Sequence, residues 1–129
     1  MKSGFLGILL LVLVLIGVGA TGDRPDSVRV VRMTVTAYCP CTTCCGEHAD
    51  GITASGKPVT HNAGRFVAAD TEHFPMGTML RVPGYAGDDP VPVLDRGGAI
   101  KGTKLDVFFP DHETAKAWGV KSLRVEVWE

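Results

Sequence analysis

The chain lacks most of the features by which composition alone would announce a partner. It has no excess of either charge, with 13 Lys and Arg against 14 Asp and Glu in 129 residues. A nucleic-acid partner would call for a basic face, and nothing in this balance supplies one. Aromatic residues are scarce at 7%. The longest apolar run, Phe5 to Ala20 (FLGILLLVLVLIGVGA), has 16 residues including three glycines, short of the roughly 20 that span a bilayer. There are no internal repeats, and the length leaves room for one small domain.

What is present begins with that run. Lys2 precedes it and Val18-Gly19-Ala20 ends it, the pattern of a secretory signal peptide over residues 1–20, with an uncleaved anchor as the lesser alternative. The first cysteine is Cys39, too far from the small residues for lipid attachment at a mature N-terminal cysteine. Thr21 to Ser27 (TGDRPDS) is polar, carries Pro25 and reads as a linker. The expected domain is therefore 28–129. Such a chain buries only about two thirds of its unfolded surface, so additional staples would help it.

From Val28 to Tyr38 the chain alternates, with Val31, Met33, Val35 and Ala37 on one side and Arg32, Thr34 and Thr36 on the other. Period two with β-branched residues predicts a strand. Shorter strands are expected at Arg65–Ala69, Thr78–Val82, Val91–Leu94, Lys104–Phe109 and Leu123–Trp128, separated by Gly, Pro and Asp clusters. Six short strands with turn signals between them argue for a barrel or a sandwich. One helix is expected, HETAKAW, capped by Asp111 and stopped by Gly119, just before the last strand.

The most informative segment is Val93 to Phe109 (VLDRGGAIKGTKLDVFF). An aspartate leaves a strand into Gly97-Gly98, a glycine turn follows Lys101, and the next strand carries Asp106. There Lys104, Asp106 and Phe108 share one face, while Leu105, Val107 and Phe109 share the other. Together with Val35-Thr36-Ala37-Tyr38, Thr53-Ala54-Ser55-Gly56-Lys57, Ala68-Ala69-Asp70 and Pro75-Met76-Gly77-Thr78, this stretch resembles the three-aspartate (3D) domain, a double-psi β-barrel family of bacterial cell-wall proteins. It is also similar to the barrel of the membrane-bound lytic transglycosylase A family, which cleaves peptidoglycan glycan chains.

The resemblance implies a mainly β fold, a six-stranded double-psi β-barrel with one short helix before the last strand. The three name-giving aspartates would be Asp70, Asp95 and Asp106. Asp106 would be the acid/base and Asp95 its catalytic companion. Substrate contacts would fall to Asp70, Tyr38, Gly97, Gly98 and Lys101. An Asp just before a turn is often a turn or cap residue, the competing reading for Asp70.

A lytic transglycosylase works with one carboxyl, because the sugar's own 6-hydroxyl attacks the anomeric carbon. That carboxyl must be protonated near neutral pH. Apolar neighbours and Asp95 would raise its pKa, whereas Lys104 would lower it if close. Two departures from the transglycosylase pattern stand out. The larger enzymes have a second domain as the other groove wall, which implies weak glycan binding here or an envelope partner. An inverting hydrolase would want a second carboxylate near the first strand, where Thr36-Ala37-Tyr38-Cys39 stands.

All four cysteines lie within Cys39-Pro40-Cys41-Thr42-Thr43-Cys44-Cys45. In an exported chain disulfides are the default, with three pairings open and the vicinal one disfavoured. The competing reading is Zn(II) or Cu(I) on the thiolates, with His48, Asp50 or His61 adding ligands. No metal residue and no cofactor are assigned, and His48, His61, His73 and His112 read as ordinary surface histidines. Tyr38 and Tyr85 are candidates to stack on sugars or to pack on the barrel ends. The expectation is a monomeric protein exported to the periplasm or cell envelope that cleaves O-glycosidic bonds of peptidoglycan glycan strands. The alternative is a non-catalytic glycan-binding module on the same barrel.

Overall fold

A computed structural model describes residues 27–129. The expected signal segment 1–20 and all but the last residue of the expected linker lie outside the described residues. Six strands form: β1 (Val28–Tyr38), β2 (Val67–Ala69), β3 (Met79–Arg81), β4 (Val91–Asp95), β5 (Lys104–Phe108) and β6 (Lys121–Trp128). They close into a barrel in the order β1-β5-β2-β4-β3-β6. The barrel, rather than the sandwich, is the outcome. The β1/β5 and β2/β4 contacts are parallel, and the other four are antiparallel.

The alternation read from the sequence is the packing of the barrel. Met33 and Val35 of β1 are fully buried, with Val31 and Ala37 packed partly buried behind them. They meet Val67, Leu80, Val93, Leu105, Val107, Val125 and Val127 in one interior cluster. β-branched residues dominate this cluster because they fit a pleated surface at little rotamer cost. β6 starts two residues earlier than expected, since Gly119 ends the preceding helix and Lys121 already pairs with Val35.

A second cluster sits outside the barrel wall. Phe66, Leu94 and Phe108 are buried together, with Tyr38 and Val59 against them. The Phe66 and Phe108 rings stack at 4.6 Å. Phe108 shares its strand face with Asp106, so the outer surface of β5 is half apolar support and half site.

The expected helix is α2 (His112–Trp118), where Asp111 accepts a hydrogen bond from the Thr114 N–H at 3.0 Å. Trp118 closes it onto the barrel, donating from Nε1 to the Val35 carbonyl at 3.2 Å. An additional helical turn, α1 (Thr42–Cys45), follows β1. It forms because Cys45 and Cys44 both donate backbone N–H groups to the Cys41 carbonyl. Tyr85 is buried: its hydroxyl donates to the Phe108 carbonyl at 2.6 Å and accepts from the Phe66 N–H at 3.2 Å. It packs the barrel end, which removes it as a sugar-stacking candidate.

Candidate active site

Register builds the site. Thr36 of β1 stands opposite Asp106 of β5, Asp106 opposite Ala68 of β2, and Ala68 opposite Asp95 of β4. The four residues therefore form one row across four adjacent strands. Val35, Leu105, Val107 and Val67, each next in sequence to one of the first three, point into the interior, so Thr36, Asp106 and Ala68 face outward. The β2/β4 pairing slips between Val67 and Ala68. Without that bulge Leu94 would stand opposite Ala68 and Asp95 would turn toward the core. Ala68 separates the two aspartates, and its methyl group leaves an open floor.

That floor underlies a pocket of about 890 Å³, lined by Tyr38 at the end of β1, the loops 48–54 and 70–72, and the segment 95–101 with Asp106. The volume suits a ligand of several rings or a short chain segment. Of the residues predicted from the sequence, Asp106, Asp95, Asp70, Tyr38, Gly97, Gly98 and Lys101 all line it. The structure brings all of them to one place.

They differ in what their polar atoms are doing. Asp106 receives one hydrogen bond from a side chain, Thr36 Oγ1 to Oδ1 at 3.0 Å. Burial pushes its carboxyl up to about 6, with Asp95 adding to the rise while Thr36 and Lys104 oppose it. The contest between apolar surroundings and Lys104 that the sequence leaves open is thus decided for the surroundings. A carboxyl in this range can hold a proton near neutral pH and release it.

Asp95 is fully engaged. Its Oδ1 accepts from the Ala54 N–H at 2.8 Å and the Arg96 N–H at 3.0 Å. Its Oδ2 accepts from the Tyr38 hydroxyl at 2.6 Å. Burial, followed by the neighbouring Asp95 charge, raises the Tyr38 phenol, so it stays protonated and donates. The Ser55 N–H bonds the Leu94 carbonyl at 3.1 Å, so the Thr53–Lys57 turn is docked on the end of β4 around Asp95. Thr-Ala-Ser-Gly-Lys thereby supplies part of the backbone around that aspartate.

Asp70 also serves the backbone. Its Oδ2 accepts from the Gly102 N–H at 2.9 Å and its Oδ1 from the Glu72 N–H at 3.2 Å, and the first of these bonds lowers its pKa. Gly102 has φ +63°, a conformation glycine adopts without strain, and Asp70 fixes the turn it makes below Lys101. Gly97 is held tight, since an added Cβ would come within 3.2 Å of the Ile100 side chain. At Gly98 a Cβ would meet nothing within 4 Å, so that glycine leaves open space at the pocket rim.

Three contributors are not legible in the sequence. Thr36 enters it through the first-strand motif and as the absence of a second carboxylate, without a role of its own. Ala68 belongs to a motif without a role of its own. His112 reads there as a surface histidine, yet its Nδ1 lies 3.3–3.6 Å from the sulfurs of Cys39, Cys41 and Cys44. No sulfur of Cys39, Cys41, Cys44 or Cys45 is bonded to another in this structure. No local sequence signal marks a contact that spans 68 to 73 residues.

The fold and site define a small closed β-barrel carrying an outward pocket with one protonatable, partly buried aspartate among hydrogen-bonded carboxylates. Residues 65–129 match the model of the 3D domain, and the chain belongs to that family. Its relatives include two Bacillus subtilis (strain 168) proteins. YabE, named for cell wall shaping, is 34% identical over 119 residues, which is 85% of this chain and 28% of YabE. The cell wall-binding protein YocH is 34% identical over 106 residues, 81% of this chain and 34% of YocH. The chain thus spans about a third or less of these relatives. Among solved structures, the Escherichia coli lytic transglycosylase MltA superposes with a TM-score of 0.48 and 28% identity, over 60% of this chain and 27% of MltA.

Proposed function

We propose that the protein is an exported cell-wall enzyme that cleaves O-glycosidic bonds of peptidoglycan glycan strands by the lytic transglycosylase route. The observation that carries this reading is the Asp106 carboxyl, raised to about 6 by burial at the floor of an open polar pocket. The motif resemblance and relatives named for cell wall shaping and cell wall binding supply the substrate class.

In this mechanism protonated Asp106 donates to the glycosidic oxygen as the bond to the anomeric carbon breaks. The resulting carboxylate then takes the proton of the sugar's 6-hydroxyl as that oxygen bonds the anomeric carbon, closing a 1,6-anhydro ring. The proton lost in the first half returns in the second, so Asp106 ends as it began and no water is consumed. Asp95 is a positioning residue here. Its oxygens accept from Tyr38, Ala54 and Arg96, which holds the pocket wall in register with Asp106. Thr36 orients the Asp106 carboxyl. Gly98 gives the glycan room at the rim, Gly97 lets that wall close on Ile100, Lys101 faces the glycan there, and Asp70 supports the turn beneath.

Mass spectrometry of soluble products from purified peptidoglycan tests this reading. Anhydro-terminated fragments are the expected result, and reducing-end fragments would mean a hydrolase. A module that binds glycan without cleaving it is the second reading, favoured by the relative named for cell wall binding. It predicts retention on insoluble peptidoglycan and no released products.

A further inference from the structure

Three sulfurs and one nitrogen converge beside the pocket for no purpose the glycan chemistry supplies. Cys39 Sγ lies 2.9 Å from Cys41 Sγ and 3.3 Å from Cys44 Sγ. His112 Nδ1 is 3.4, 3.3 and 3.6 Å from the sulfurs of Cys39, Cys41 and Cys44. The four donor atoms all lie within 4.8 Å of one another, and the nitrogen is almost equidistant from the sulfurs. Hydrogen bonding among thiols does not require this equidistance.

Each ligand has a separate structural reason to be there. Cys39 is buried at the end of β1. Cys41 sits at the N-cap of α1 and Cys44 lies within it, a spacing of three that puts both on one helical face. His112 opens α2, whose cap Asp111 fixes the first turn. A tetrahedral zinc ion with bonds of about 2.3 Å to sulfur and about 2.0–2.1 Å to nitrogen sets edges of about 3.8 Å between sulfurs and about 3.6 Å from sulfur to nitrogen. The nitrogen distances already match, and Cys39 Sγ needs to draw away from the other two sulfurs by about 1 Å or less.

We propose that Cys39, Cys41, Cys44 and His112 bind one zinc(II) ion as a closed structural site. Three thiolates and an imidazole are a zinc set, and four protein ligands leave no open coordination position for catalysis. The site ties the loop after β1 to α2. Because Cys44 and Cys45 line the pocket, it also fixes that wall of the pocket. Cys45 is excluded: its thiol donates to the Cys39 carbonyl at 3.2 Å. Disulfides would use the thiols in pairs, whereas here three meet a histidine and the fourth turns away.

The test is elemental analysis of the full chain purified without chelator, combined with cobalt(II) substitution, intact mass and thiol alkylation. The expected result is one zinc per chain and the ligand-field bands of tetrahedral cobalt thiolate on exchange. One thiol should alkylate in the loaded protein, and the other three only after a chelator is added. Cys45→Ser should keep stoichiometric zinc, while Cys44→Ser and His112→Ala lose it. The wild-type and Cys45→Ser measurements decide the matter even if the ligand variants fail to fold. A mass showing disulfides with no metal overturns the proposal. So do metal-free reduced thiols, preferential copper(I) loading with zinc in excess, or full zinc retention in His112→Ala.

Discussion

Replacing Asp106 with asparagine should stabilise the protein at neutral pH. Ordinarily an aspartate titrates near 3.8, and burial holds this one at about 6. The folded state therefore binds the proton more tightly than the unfolded chain. Stability linked to this group is fully present below about pH 4 and is lost as pH rises through about 6. Above that, the ionised carboxylate costs up to about 3 kcal/mol, less whatever pocket water returns by solvation. The asparagine side chain would keep an oxygen for the Thr36 hydroxyl at the same place and would carry no charge. Urea unfolding of wild type and Asp106→Asn is the assay. At pH 7.5 the variant's midpoint should lie higher by the equivalent of about 1–3 kcal/mol, with the slope unchanged. At pH 4 the two curves should converge. A variant no more stable than wild type at pH 7.5, or a gap that ignores pH, would refute the burial argument.

Tyr85→Phe leaves the Phe66 N–H without its buried partner and should cost about 1–3 kcal/mol in urea titration, without changing glycan binding. Tyr38→Phe removes a hydrogen bond to the Asp95 carboxylate. It should cost about 1.5 kcal/mol at most, since pocket water can replace the hydroxyl, and calorimetry should show weakened glycan binding as the wall loosens. Asp70 has a lowered pKa, so the stability it contributes is present above its unfolded value and lost as pH falls through its folded one. Wild type should therefore lose stability relative to Asp70→Asn on acidification below about pH 4, read as thermal midpoints.

The strands are legible in the sequence because their chemistry is local. Alternation in Val28–Tyr38 and the short apolar runs elsewhere name a face of each strand, and closing the barrel only has to match those faces. α2 is legible for the same reason, its cap and its stop lying in one short segment from Asp111 to Gly119. What stays hidden depends on pairing between distant segments. The slip that puts Asp95 beside Ala68 is a property of two strands in register. The Thr36 bond to Asp106 needs β1 and β5 to be parallel neighbours. By sequence proximity the histidine at the thiols would be His48 or His61. His112 fills the place because α2 packs on β1 through Trp118 and so carries its first residue to the end of that strand. The three aspartates are visible as a set, but not how differently their carboxyls are bonded. Backbone N–H groups bond Asp70 and Asp95, whereas Asp106 has a single hydroxyl partner.

Incubating insoluble purified peptidoglycan with wild type and Asp106→Asn side by side, and measuring protein bound and glycan released, tests the central claim most directly. The account predicts that both proteins bind and that only wild type releases fragments, with a rate that declines as pH rises through about 6 and the carboxyl gives up its proton. Equal release by the variant would contradict the assignment of Asp106 as the proton donor.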